Sequence, residues 1–218
     1  MRAALVATLL VLLAVPAAAQ TPVQPPVAPL PIAPLPWLVF DARGGFASSG
    51  QDGTTAAGLK VAPTDMPGRL RTAVVGVHVY PFRRGGFKLG FGGELLMGSA
   101  SGQKKDTTGK AVGPVIRRRL NSVSGQISLN FGKGEGWSYL TAGSGPLKFE
   151  SYLDEATPDG VGATTLNYGG GARWFTNSHL ALAVDLRFYL TRPALATTVT
   201  AARARERVFL LSLGISLK

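Results

Sequence analysis

The chain has 218 residues, enough for one sizeable domain, and contains no cysteine, which excludes disulfides, thiolate metal sites and a cysteine nucleophile. Its formal charge is +11. That charge suits phosphorylated lipid headgroups better than nucleic acid if the chain is exported, and on its own it says nothing about fold.

The amino-terminal segment argues for export. Arg2 gives a short positive start, Ala3 to Val15 is almost wholly apolar, Pro16 breaks the run, and Ala17-Ala18-Ala19 offers a small-x-small cleavage site before Gln20. This is the plan of a secretory signal peptide, and the run is shorter than the ~20 residues of a spanning helix. Residues 1–19 are therefore predicted to be a signal peptide. Residues 20–36 carry Pro22, Pro25, Pro26, Pro29, Pro31, Pro34 and Pro36, which favours an extended polyproline II linker.

From Trp37 to Lys218 the dominant period is two. Leu180, Leu182, Val184, Leu186, Phe188 and Leu190 share one face, with Ala181, Ala183, Asp185, Arg187 and Tyr189 on the other. Such strict alternation means a strand with one apolar face. The same pattern runs through Ala73–Val79, Phe87–Met97, Val123–Phe131, Leu166–Trp174 and Phe209–Leu217. Shorter alternations at Trp37–Ala47 and Trp137–Ser144 bring the set to about eight strands, each near the ~9–11 residues of a membrane strand.

Connections alternate in length. Pro81–Gly86, Gly132–Gly136 and Thr176–Ser178 read as short turns. Ser48–Gly68, Ser99–Gly113, Gly145–Gly162 and Thr191–Ala204 read as long loops. Short turns at one rim and long loops at the other mark an outer-membrane barrel. An even strand number puts both termini, and with them the Pro-rich linker, at the short-turn rim.

A soluble barrel would turn the apolar faces inward, whereas a membrane barrel turns them out. The polar faces here are rich in Gly, Ser, Ala and Thr, which fit the crowded interior of eight strands. Their few charges come as opposite signs: Asp41 with Arg43, Asp185 with Arg187, then Glu94 and Arg173. Turned inward, these six residues are expected to form a polar network in the lumen. Trp37, Trp137 and Trp174 all fall beside short turns, as an interfacial girdle would place them, although Trp37 shares the parity of Asp41.

The remaining candidates are basic. Lys104, Lys105, Lys110 and Arg117-Arg118-Arg119 fall in or beside the second long loop, and Arg203, Arg205 and Arg207 lead into the last strand. Two patches at the outer rim are expected, either as contacts for lipopolysaccharide phosphates or as solvated loop charge. Gly132-Lys-Gly-Glu-Gly136 lacks the Gly-Lys-Ser/Thr of a phosphate loop and reads as a tight turn. His78 and His179 sit near short turns with no nucleophile–base constellation beside them. No catalytic residue, metal site or cofactor is expected.

Leu166-Asn-Tyr-Gly-Gly-Gly-Ala-Arg-Trp-Phe175, a turn, and His179-Leu-Ala-Leu-Ala-Val-Asp-Leu-Arg-Phe-Tyr189 together resemble the penultimate hairpin of the bacterial outer-membrane β-barrel domain family, the small barrels of the outer-membrane protein A type. The resemblance covers residues 37–218 and implies an all-β fold: an eight-stranded antiparallel up-and-down transmembrane β-barrel behind the signal peptide and Pro-rich segment. It also implies handling by the outer-membrane insertion machinery, although the Phe that often closes such barrels is replaced by Leu217-Lys218. The expected function is non-enzymatic: a monomeric outer-membrane protein in contact with lipid, structural in the envelope or displaying loops for surface contact. The alternatives are a narrow small-solute pore and a soluble periplasmic carrier of lipid or small molecules.

Overall fold

The structure, a computed structural model, describes residues 37–50, 53–133, 136–154, 159–192, 205 and 207–218. The signal-peptide and linker assignments, and Arg203, lie outside the described residues. The chain forms β1 (Leu38–Ser49), a short helix α1 (Gly53–Gly58), a 3-10 turn (Pro63–Asp65), β2 (Arg69–Arg84), β3 (Phe87–Lys105), β4 (Ala111–Lys133), β5 (Gly136–Leu153), β6 (Asp159–Phe175), β7 (Leu180–Thr191) and β8 (Arg207–Leu217). Each strand pairs antiparallel with the next, and β8 pairs with β1 to close the barrel. Among the described residues no helix is long and apolar enough to cross a membrane.

The register fixes the barrel's shape. Following paired residues from Leu38 through Val79, Phe91, Ile127, Ala142, Tyr168, Phe188 and Phe209, the path returns to β1 at Ser48, ten residues along. With ~4.8 Å between strands and ~3.3 Å per residue, that stagger tilts the strands about 40° from the axis. Eight strands so tilted leave an interior that side chains fill.

The faces fall as the alternation requires. Leu182, Leu186, Leu211 and Leu213 are 54%, 39%, 45% and 62% exposed on the outer wall, while Asp185 and Arg187 are fully enclosed. Phe40, Val75, Phe91, Ile127, Leu140 and Ile215 continue the outward apolar surface round the barrel. Inside, large side chains sit against glycines on the neighbouring strand: Arg43 pairs with Gly214, His78 with Gly92, Tyr139 with Gly171 and Arg187 with Gly169. A Cβ at any of these glycines would collide with that side chain or its backbone. The glycines of the polar faces thus make room for the residues that fill the lumen.

Two expectations need correction. The segments read as loops at Ser99–Gly113 and Gly145–Gly162 are mostly strand, so that β3 and β4 meet only at a turn over 106–110. Their polar, glycine-containing sequence hid an alternation that persists with its polarity reversed: Arg117 and Arg119 are exposed, whereas Arg118 and Leu120 are buried. The turn itself is held by Asp106, whose Oδ1 accepts from Thr108 Oγ1 (2.6 Å) and from the backbone N–H groups of Thr108 (2.8 Å) and Lys110 (3.0 Å). Second, Trp137 is buried inside the barrel with Lys88 5.0 Å over its ring. The exposed aromatics at the short-turn rim are instead Trp37, Phe82, Phe87 and Trp174.

Candidate functional site

The lower lumen, toward the short turns, holds the ionic residues. Asp41 on β1 takes a two-pronged contact from Arg173 on β6, with Nη2–Oδ2 at 2.8 Å and Nε–Oδ1 at 3.2 Å. Ser216 on β8 donates to the same Asp41 Oδ1, and His78 Nδ1 lies 3.5 Å from Oδ2. Arg173 also donates from Nη1 to Asn130 Oδ1 at 3.0 Å, and its guanidinium stacks 4.2 Å over the Tyr139 ring. Just above, Arg43 bridges Glu94 and Asp185, with Nη1 2.7 Å from Asp185 Oδ1. Arg187 bridges the same two acids, at 2.6 Å to Glu94 Oε1 and 3.0 Å to Asp185 Oδ1. Tyr139 donates to Asp185 (2.6 Å) and Tyr189 to Glu94 (3.1 Å).

All six charges named from the sequence are therefore in one lattice, drawn from four of the eight strands. Three arginines face three carboxylates, each at most 4% exposed. Buried charges are tolerable when paired and hydrogen-bonded in this way. A neutral chain adjoins them: Thr141 Oγ1 donates to Gln126 Oε1 (3.0 Å), and Gln126 Nε2 donates to Asn167 Oδ1 (2.9 Å) and Ser124 Oγ (2.7 Å). The sequence reading missed Tyr139 and Tyr189 as members. Their signal was parity, since Tyr189 alternates with Asp185 and Arg187.

Above the lattice the interior turns apolar. Leu70, Val74, Leu96, Leu120, Leu147 and Leu210 form one cluster with Phe149, Val208 and the ring of Tyr189. A second cluster, Ala56 of α1 with Met66 and Ile116, joins the β1–β2 connection to the upper strand ends. Arg118 belongs here, not on the outer surface: it donates to Pro67 O (2.8 Å) and lies 4.5 Å over the Phe149 ring. Three consecutive arginines on a strand cannot share a face, which removes Arg118 from the predicted patch.

On the outer wall at the same height the apolar surface gives way to cations. Arg69, Arg71, Arg117, Arg119, Lys148, Arg205 and Arg207 are exposed, with Lys104 and Lys105 farther out toward the hairpin tip. Arg71 pairs with Ser99 and Ser99 with Arg119, so these three form a row across β2, β3 and β4. Arg119 leans over Tyr152 (5.5 Å), and Lys148 is paired with Glu150. Arg69 and Arg71 lay just before the strand as read from sequence. They supply the link between the β4 and β8 clusters, because β2 adjoins β1 and β1 adjoins β8. Among the described residues no group of acids and histidines is arranged to hold a metal.

No family model and no curated protein matches the sequence. Solved structures do match. Neisserial surface protein A (NspA) aligns with a TM-score of 0.56 at 13% identity, over 84% of this chain and 97% of that one. Ail, the attachment invasion locus protein of Yersinia pestis, solved with the heparin analogue sucrose octasulfate, aligns with a TM-score of 0.44 at 13% identity, over 82% and 98%. The outer membrane protein OprG from Pseudomonas aeruginosa aligns with a TM-score of 0.45 at 12% identity, over 82% and 94%. The likeness to NspA is one of fold, that of the closed eight-stranded barrel.

Proposed function

We propose that the protein is an integral barrel of a bacterial outer membrane, non-enzymatic, which reinforces the envelope or presents its long-loop end for contact. The observation that carries this reading is the inversion of its faces. An outer wall of exposed Leu, Ile, Val and Phe encloses a lumen of paired charges, as hydrocarbon outside and a sealed polar interior would require. The outward cations begin where that wall ends, at the level expected for lipid phosphates. Arginine forks match phosphate oxygens, so Arg117, Arg119, Arg205 and Arg207, joined by Arg69 and Arg71, are assigned contacts with lipopolysaccharide phosphates. The ionic lattice and the apolar cluster above it both oppose an open channel, which disfavours the pore.

Cell fractionation tests the location. The protein is expected in the outer-membrane fraction, extracted only by detergent, with gel migration that shifts on heating. Recovery in the detergent-free periplasmic extract would reject the reading in favour of a soluble carrier. Replacing Arg71, Arg117 and Arg119 together with Gln is expected to lower lipopolysaccharide affinity about tenfold or more, with a weaker dependence on salt. An unchanged affinity would return these residues to solvated charge.

A further inference from the structure

A small recess opens at the short-turn mouth of the lumen, lined by Tyr80, Lys88, Asn130, Trp137, Arg173 and Phe175. Its charge is unbalanced. Lys88 is only 4% exposed, and among the described residues its ammonium is paired with no carboxylate; the contact it makes is with the face of Trp137, at 5.0 Å. A buried ammonium covered only by an aromatic ring lacks the counterion that burial demands. Arg173 lines the same space. Asp41, Asn130 and Ser216 occupy three of its five N–H groups, which leaves one on each terminal nitrogen. The hydroxyl of Tyr80, a residue 3% exposed, has no hydrogen-bond partner among the described residues. Arg83 adds positive charge at the rim. Among the described residues, the carboxylate that Arg173 meets, Asp41, is already taken up by Arg173 and Ser216.

We infer that this recess binds a small oxyanion, with Lys88 as counterion and Arg173 and Tyr80 as hydrogen-bond donors. The oxyanion is either a free phosphate or carboxylate or the phosphate of a lipid headgroup at that rim. The ionic lattice above stops it from passing through, so the site is a terminus and not a step in conduction. It requires the barrel fold but is independent of the lipopolysaccharide contacts at the opposite end.

Trp137 is the reporter. Trp37 and Trp174 are 65% and 51% exposed, and the double variant Trp37→Phe/Trp174→Phe leaves Trp137 as the only indole of the full-length protein. In nonionic detergent, titration with inorganic phosphate is expected to change its emission to saturation. Lys88→Met should weaken the midpoint about tenfold or more, and Tyr80→Phe about threefold. In a second arm, phosphatidylcholine vesicles receive increasing phosphatidylglycerol. Saturation there but not with free phosphate supports the same site with a lipid headgroup as its ligand. Heat-shifted migration checks that each variant folds, and if Lys88→Met does not, Tyr80→Phe decides. Absence of saturation in both arms, or midpoints that both substitutions leave unmoved, overturns the inference.

Discussion

The two halves of the lumen are built from the same strands by opposite rules. In the lower half Asp41, Arg43, Glu94, Arg173, Asp185 and Arg187 face inward and the outer wall is apolar. In the upper half Leu70, Leu96, Leu120, Leu147 and Leu210 face inward and the outer wall carries Arg69, Arg71, Arg117, Arg119 and Arg207. The upper part is thus patterned as a soluble barrel is, apolar within and charged without, and the lower part is patterned the other way round. The pleat never changes; what changes is which parity carries the apolar residues. Tyr189 marks the seam, with its ring in the apolar cluster and its hydroxyl on Glu94. A parity switch at one height is what two different surroundings, one above the other, would select.

The largest test of this contrast is Glu94→Ala. It leaves Arg43, Arg187 and the Tyr189 hydroxyl without their shared acceptor, and should cost about 3–5 kcal/mol in urea unfolding from lipid vesicles. A loss under about 1 kcal/mol would mean water already solvates the lattice. Next comes Leu210→Ala in the upper half, where a cavity in a closed apolar layer should cost about 2–4 kcal/mol. If that substitution proves neutral, the upper half is not a packed core. Tyr189→Phe sharpens the seam by keeping the ring and deleting one hydrogen bond to a charged group, an effect of about 1.5–3 kcal/mol. Combined with Glu94→Gln it should be markedly less than additive, whereas with a substitution distant from both it should add.

The smallest effect lies beyond both halves, at the β3–β4 turn. The Thr108 hydroxyl, followed by backbone N–H groups, holds the Asp106 carboxyl below the ordinary carboxylate range. A depressed folded value means the turn's added stability is present above the unfolded pKa and is lost as pH falls through the folded one. NMR of the Thr108 and Lys110 amides should show the turn loosening on strong acidification while the barrel ladder stays unchanged. Amide shifts that stay fixed through that range would count against the carboxylate's role.

The lower half was legible because its signals are local. Residues two apart on a strand share a face, so Asp185 with Arg187, and Asp41 with Arg43, could be placed together before any partner was known. Which acid meets which base was not legible: Arg173 finds Asp41 across 132 residues, and only the ten-residue stagger decides that. The upper half was hidden by its own pattern. Leu95-Leu96 and Leu210-Leu211 are adjacent leucines, one inward and one outward, and to a reader of alternation they look like noise at a strand end. Arg117-Arg118-Arg119 misled in the same way, as a block of like charge that the backbone splits between two faces. Arg69 and Arg71 carry no strand signal in the sequence, because Gly68 closes a polar, Gly- and Pro-containing stretch and nothing local shows that β2 begins at once.

The Arg173–Asp41 contact joins β6 to β1, strands that are not neighbours in the barrel wall. Arg187 to Glu94 likewise ties β7 to β3. These contacts act as spokes rather than rungs. A hoop held only at its circumference can flatten into an ellipse without breaking a single wall bond; one braced across its diameter cannot. The cross-section of this hoop is therefore braced at the level of the lattice, and flattening is easier toward either mouth than there.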